Sequence, residues 1–227
     1  MSLRLLPKKI IYYFASQSSF KMEEKDAYAE LSSIRQLMER SAKFISLSGL
    51  SGVLAGVYAI IGAYLGYRIV YGDTGTLDYR DTYISDPNVL IKLVLIASSV
   101  LLLSLASGVY LTIRQAKKRS ENFWNPVSKR LVTSMAIPLV TGGLLIIIFI
   151  LRQEHGIVAS ACLIFYGLAL ISASQYTFND VKWLGCGEII LGLLAAATPG
   201  YGLVFWVIGF GFLHILYGTI MHFKYNQ

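Results

Sequence analysis

Apolar residues along this chain form six long blocks separated by short polar stretches, instead of alternating with polar residues. A helix that crosses a hydrocarbon core roughly 30 Å thick needs about 20 apolar residues, because each residue advances it by about 1.5 Å. Turn-forming residues such as Gly, Asp, Asn and Pro separate the blocks. They cover residues 44–71, 89–113, 131–151, 157–176, 182–198 and 203–221. The pattern predicts an all-α fold, an integral membrane helical bundle of about six transmembrane helices.

A different pattern precedes the first block, between residues 22 and 43. Apolar side chains recur there at steps of three or four, which places them on one side of a helix whose other side is charged. They are Ala27, Leu31, Ile34, Met38, Ala42 and Ile45. Two interpretations of this N-terminal cytoplasmic amphipathic helix stay open. It forms a short coiled-coil seam with another protein chain, or it lies on the inner leaflet or against the bundle.

These patterns divide the chain into four parts. Residues 1–21 form a poorly patterned extension, 22–43 the amphipathic helix, 44–221 the six-span domain and 222–227 a cytoplasmic tail. The apolar run from Ile10 to Ala15 is too short for a secretory signal. Either Met1 or Met22 can serve as the native start, and we expect residues 1–21 to be dispensable.

Composition and charge add an orientation. The chain is 55% hydrophobic and 15% charged, whereas a soluble domain carries about 25% charged residues. With both termini cytoplasmic, 16 of the 20 Lys and Arg residues fall on the cytoplasmic side, as the positive-inside rule requires. The net charge of +7 then predicts contact with anionic lipid headgroups at the inner face and no binding of nucleic acid.

Glycines at four-residue spacing mark the first block as a packing helix. Helices in lipid associate through close backbone contact at small residues, because there is little hydrophobic drive between them. The first block has Gly52, Gly56, Gly62 and Gly66, and glycines are also frequent in the fifth and sixth blocks. We expect these three helices to form the centre of the bundle.

Four ionisable residues within the apolar blocks are candidates for function, because charge is costly in a membrane. Glu188 and His214 lie on consecutive blocks joined by a short turn, and their depths predict contact in the cytoplasmic half. That pair is either a proton relay or a structural interhelical hydrogen bond. Arg68 and Lys92 lie at the outer ends of the first two blocks and predict either an outer-leaflet anion site or side chains that reach toward the headgroups.

Other chemistry has little support in the sequence. His155, His214 and His222 fall at different levels, and no helix carries His or Cys at metal-ligand spacing. Motifs for phosphate, cofactor and nucleic-acid binding are absent from the sequence. We expect neither a metal nor a cofactor.

Gly49-Leu50-Ser51-Gly52 resembles the Gly-x-Ser-Gly motif of rhomboid intramembrane proteases, which have a six-span core and a late catalytic histidine comparable to His214. In that family the serine is on the fourth span, whereas Ser51 is on the first. The second-span His-x-x-x-Asn and first-loop Trp-Arg motifs of the family are missing from this sequence. We therefore expect that the protein is not an enzyme.

The stretch from Leu31 to Gly66, with the ending His214-Ile-Leu-Tyr-Gly218, resembles a group of bacterial multi-pass membrane proteins with no assigned activity. This resemblance implies a bacterial inner membrane. Two functions remain as hypotheses. The first is a scaffold, sensor or regulatory partner that forms a homo-oligomer or binds a cytoplasmic protein. The second is a small transporter or channel for protons or solutes that uses Glu188 and His214.

Overall fold

The computed structural model describes residues 48–72, 87–118, 120 and 122–225. By its internal contacts the chain divides into two units, Met1–Ala42 and Lys43–Gln227, and all described residues belong to the second. The N-terminal extension, the amphipathic helix and the acidic part of the first loop lie outside the described residues.

The described part is helical at each of the six places that the sequence indicates. The helices are α1 (Gly49–Tyr71), α2 (Pro87–Lys118), α3 (Pro126–Leu151), α4 (Val158–Ser174) and α5 (Asp180–Ala197), and a 3-10 turn, His155–Ile157, precedes α4. The last helix, Gly202–Tyr225, consists of α6 (Gly202–Trp206), a π segment (Val207–Leu213) and α7 (His214–Tyr225). No strand occurs in these ranges, and the predicted all-α bundle is confirmed.

Local sequence explains where α3 begins and where α2 ends. The Asn125 side chain accepts from the backbone N–H of Ser128 and the Ser128 hydroxyl accepts from that of Asn125, with Pro126 in the first turn. This reciprocal capping starts α3 five residues before its apolar block. At the end of α2, the good helix formers Gln115 to Lys118 carry the helix beyond its apolar block, which ends at residue 113.

Five of the six helical segments are long and apolar enough to cross a membrane. They are α1, α2, α3, the segment His155–Ser174 and the last helix. The remaining helix, α5, has 18 residues. Within that length it carries three charged residues, Asp180, Lys182 and Glu188. The chain is therefore a helical bundle of membrane-spanning character in which α5 packs against two other helices, α4 and the last helix.

Backbone contact between α1 and the last helix lies at the centre of the bundle. A Cβ atom placed on Gly56 would lie 2.6 Å from the carbonyl oxygen of Gly211, and one on Gly218 would lie 2.5 Å from the backbone nitrogen of Val53. A Cβ atom on Gly52 would lie 3.1 Å from the Cα atom of Gly218, which is a tight but less severe contact. The distances at Gly56 and Gly218 leave no space for a side chain, so glycine is what permits the two helices to approach.

The other predicted packing glycines of α1 contact a different helix. Gly62 faces Val100, and Gly66 faces Leu93, both on α2. The first helix therefore places three of its five glycines against the last helix and two against α2, which otherwise has a largely exposed apolar surface.

A second glycine contact joins α4 and α5. Gly167 and Gly185 face each other's carbonyl oxygens, so that neither position has room for a Cβ atom. The glycines of the fifth block predict that α5 joins α1 and the last helix at the centre. Instead α4 is the main neighbour of α5, and α3 packs on the outer side of α4 through Gly142 and Phe165.

Contacts between helix ends define two opposite ends of the bundle. Gly49 at the start of α1 lies against His222 near the end of α7, and Asp180 at the start of α5 binds Lys224. We call this the basic end, because the described Lys and Arg residues at it outnumber those at the other end. They are Arg114, Lys117, Lys118, Lys129, Arg130, Lys182 and Lys224, against Arg68, Lys92 and Arg152 opposite.

We predict that Gly56→Ala destabilises the bundle by about 1–3 kcal/mol, because the added methyl group meets a backbone oxygen that cannot turn away. Gly108→Ala on α2 is the matched control, since nothing lies within 4 Å of a Cβ at that position. The control should be neutral or more stable by up to about 1 kcal/mol, from helix propensity alone. Thermal unfolding of the purified variants in detergent measures both. Equal melting temperatures for the two variants would contradict the central role of this contact.

Candidate functional site

The structure brings Glu188 and His214 together in the interior of the bundle. Glu188 has no exposed surface and His214 is 5% exposed, and the Glu188 Oε1 atom lies 3.4 Å from the His214 Nδ1 atom. Glu188 is the ninth of the 18 residues of α5, and His214 lies at the centre of the last helix. The pair is therefore near the middle of its helices, and the contact predicted between the two residues is present.

Both ring nitrogens of His214 have hydrogen-bond partners. The Nδ1 atom is 3.0 Å from the carbonyl oxygen of Gly209, and the Nε2 atom is 2.8 Å from the hydroxyl oxygen of Tyr166. A carbonyl oxygen can only accept, so Nδ1 carries a hydrogen. The neutral imidazole with its hydrogen on Nδ1 then accepts a hydrogen bond from the Tyr166 hydroxyl at Nε2. Both ring nitrogens and the Tyr166 hydroxyl therefore have hydrogen-bond partners.

The carboxyl group of Glu188 is much less well paired. Neither of its oxygen atoms has a hydrogen-bond partner among the described residues, although both are buried. The nearest donor, the His214 Nδ1–H, is directed to Gly209. A buried carboxylate without donors is costly, so the surroundings favour a neutral carboxylic acid at this position.

Glycine in the π segment makes room for this carboxyl group. A Cβ atom on Gly209 would lie 2.6 Å from the Glu188 Oε2 atom and 2.6 Å from the Leu163 side chain. The same residue supplies the carbonyl oxygen that holds His214, five residues later. A π turn is uncommon and is frequent at functional sites, and here it coincides with the only described acidic side chain buried at the centre of the bundle.

Tyr166 is the member of this site that the sequence analysis missed. It lies on α4, its ring packs 5.2 Å from that of Phe210 and 5.4 Å from that of His214, centroid to centroid, and it donates to His214. The sequence offers one indication of its role, which is its position in the middle of an apolar block. Tyrosine in membrane helices is enriched near the interfaces, and a tyrosine hydroxyl that is buried needs a hydrogen-bond partner.

A second polar cluster lies at the basic end, about two to three helical turns from the first. The Asp180 carboxylate accepts from Lys224 at 2.9 Å and 3.1 Å and from the Tyr225 hydroxyl at 2.8 Å. The hydrogen bond from Lys224, and after it the one from Tyr225, lowers the pKa of Asp180 below its ordinary value. The cluster therefore stays charged at neutral pH and fixes the start of α5 to the end of the last helix.

Arg68 and Lys92 do not form an enclosed site in the described part of the chain. They lie at the same end of the bundle, on the packed helices α1 and α2, and both side chains are exposed. Their placement fits side chains that reach toward lipid headgroups. Among the described residues, no three His, Cys, Asp or Glu side chains lie together as metal ligands would.

Comparison with known proteins gives no family for this chain. No protein-family model, no curated protein and no solved structure matches it.

We predict a measurable coupling between Tyr166 and His214. A double-mutant cycle with Tyr166→Phe and His214→Ala should give about 0.5–1.5 kcal/mol, the range of a polar contact inside a membrane bundle. The matched control cycle pairs His214→Ala with Tyr64→Phe, because Tyr64 is 59% exposed on α1, and its coupling should be zero within error. Unfolding free energies in detergent provide the measurement, and additive effects for the first pair would show that the hydrogen bond does not contribute to stability.

Proposed function

We propose that this protein is a multi-pass membrane protein of the bacterial inner membrane that acts as a scaffold, sensor or regulatory partner. One observation carries this proposal: within the described residues, the surroundings of the buried Glu188 are closed. Glu188 has no exposed surface, and neither of its oxygen atoms touches a space large enough for water. A conducting pore or an open solute pathway needs polar groups that face such a space.

The exterior also supports a role in assembly. Large apolar side chains cover the outer surfaces of α2 and α3, as expected for helices that face lipid or another membrane helix. The basic end adds exposed aromatic residues, Trp124, Trp183 and Phe223, and Lys129 lies 5.8 Å above the Trp124 ring. Aromatic and basic residues together are typical of a membrane interface with anionic headgroups.

The partner that fits this proposal is either a second copy of the chain or a cytoplasmic protein. The basic end would face the cytoplasm, because positive charge is retained on that side. Both chain termini would then be cytoplasmic, since the start of α1 and the end of α7 lie at that end.

A proton-coupled or small-solute transporter is the second candidate. It is favoured by the unpaired Glu188 carboxyl group next to a π segment, since ionisable residues inside membrane helices often belong to proton relays. In that case the structure would represent a closed state, and Glu188 and His214 would be exposed in an open one.

We predict that the purified protein in liposomes does not conduct protons. A pH-sensitive dye inside the vesicles reports proton entry when a membrane potential or a pH gradient is applied. The wild type and Glu188→Gln should both match empty liposomes. Flux that the wild type shows and Glu188→Gln lacks would contradict the scaffold proposal and favour the transporter.

We predict that single cysteines at residue 117 or 129 are labelled from the cytoplasm and a cysteine at residue 78 from the opposite side. The background variant replaces Cys162 and Cys186, the only cysteines of the chain. A membrane-impermeant maleimide is applied to intact and to permeabilised cells. Labelling of residue 78 only after permeabilisation would reverse the orientation.

A further inference from the structure

Positive charge at the basic end is concentrated where α2 ends and α3 begins. Between residues 114 and 130 the sequence holds six Lys or Arg residues and one Glu. Arg119 and Glu121 of this stretch lie outside the described residues. The other five basic side chains are all exposed, and we call them the basic corner: Arg114, Lys117, Lys118, Lys129 and Arg130.

The charge of the basic corner is not neutralised within the described part of the chain. None of its five side chains forms an ion pair with a described acidic residue. Lys224, at the same end of the bundle, differs because it binds Asp180 at 2.9 Å. The charge of the basic corner is therefore available to an anion from outside the protein, whereas that of Lys224 is paired within it.

The start of α3 places an aromatic ring beside one of these charges. Phe123 packs inward against the apolar cluster of Leu131 and Ala173. The next residue, Trp124, is 60% exposed, and the Lys129 Nζ atom lies 5.8 Å from the centroid of its ring. Tryptophan is enriched at the level of the lipid headgroups. Lys129 therefore lies at the level at which lipid phosphate groups are found.

Exposed apolar side chains continue from the charged ones along both helices. Tyr110 precedes Lys117 by seven residues on α2, and Ile137 follows Arg130 by seven on α3, so the two members of each pair share a helix face. Tyr110 is 65% exposed and Ile137 is 69% exposed. A phospholipid has the same order of groups, an anionic phosphate followed by apolar chains. An acidic peptide would match the charged part alone.

The two helices that carry the basic corner are consecutive in the chain but have no extended contact with each other. α2 packs mainly on α1, and α3 packs mainly on α4. Only residues 119–125 join them, so the end of α2 and the start of α3 remain near each other. The surfaces beside the basic corner are therefore open to lipid on both helices.

We propose that the basic corner is a binding site for an anionic phospholipid. Basic side chains from both helices bind its phosphate group next to Trp124, and its acyl chains lie along the exposed apolar faces of α2 and α3. The bound lipid then connects two helices that lack an extended contact. This inference rests on the membrane-spanning character of the bundle and on the orientation in the proposed function, but it holds for a scaffold and for a transporter.

The experiment measures lipid binding by the full-length protein in a neutral detergent. Dioleoyl-phosphatidylglycerol is added in increasing amounts, with dioleoyl-phosphatidylcholine in a parallel series. The melting temperature is recorded, because a ligand that binds the folded state raises it. We expect a saturable rise with the anionic lipid only. Lys129→Gln should raise the apparent Kd about fivefold, the contribution of one basic residue near a membrane surface.

Lys182→Gln is the matched control for Lys129→Gln. Lys182 is also an exposed lysine at the basic end, but it lies on α5. Both variants remove one positive charge from an exposed position, so both should fold as well as the wild type. The control should leave the apparent Kd for phosphatidylglycerol unchanged.

Fluorescence locates the bound lipid. Phosphatidylglycerol with brominated acyl chains quenches tryptophan residues that it contacts. At low ratios of lipid to protein, Trp124→Phe should lose most of the saturable quenching. Trp183→Phe is the control, because Trp183 is 72% exposed at the same end of the bundle, and it should keep the quenching. The reverse result would place the lipid at α5 and overturn the proposed site.

The remaining outcomes each decide one part of the proposal. A saturable rise that is weakened in Lys129→Gln and unchanged in Lys182→Gln supports the site. Equal weakening in both variants, an equal effect of phosphatidylcholine or no rise at all overturns it. The same rise with inorganic phosphate or with polyglutamate overturns a lipid as the occupant, and polyglutamate would favour an acidic protein partner. Binding in detergent involves neither sidedness nor flux, so this proposal and the proposed function can fail separately.

Discussion

Close backbone contact between the first and the last helix is the interaction on which the rest of this structure depends. In lipid, two apolar helices gain little by burying side chains against each other, so close approach at small residues must supply the packing. Gly52, Gly56 and Gly218 allow that approach. The Gly52 position lies directly against the backbone carbonyl of His214. The backbone of His214 therefore packs on α1, while its side chain contacts Tyr166 on α4 and Glu188 on α5.

Most of the fold could be predicted from the sequence, because the length of an apolar block determines whether a helix can cross a membrane. All six blocks are helical where the structure describes them, and α5, with three charged residues among its 18, is not among the five apolar enough to span. The contact between α4 and α5 was missed for a physical reason. Gly167 is the single glycine of α4, and a lone glycine does not indicate which helix it faces.

The contact between Glu188 and His214 in the candidate site could also be predicted from the lengths of the apolar blocks. A depth count along antiparallel helices placed Glu188 opposite His214, since neighbouring helices joined by a short turn must lie side by side. It could not supply Tyr166, whose helix is adjacent only in the folded chain. The π segment could not be predicted either, because the sequence of Val207–Leu213 is as apolar as its surroundings.

The Gly209 carbonyl and the Glu188 carboxyl group both lie close to the same donor, the Nδ1–H of His214. The Gly209 carbonyl holds the His214 Nδ1–H at 3.0 Å, while the Glu188 oxygen lies 3.4 Å from the same nitrogen. This arrangement is compatible with a neutral Glu188. A charged Glu188 would attract the Nδ1–H more strongly, because a carboxylate interacts more strongly with a donor in an apolar interior. The Nδ1–H would then turn from the Gly209 carbonyl toward Glu188. The π segment is also in contact with α1 through Gly211, so the segment that holds the polar site is the same one that packs against the first helix.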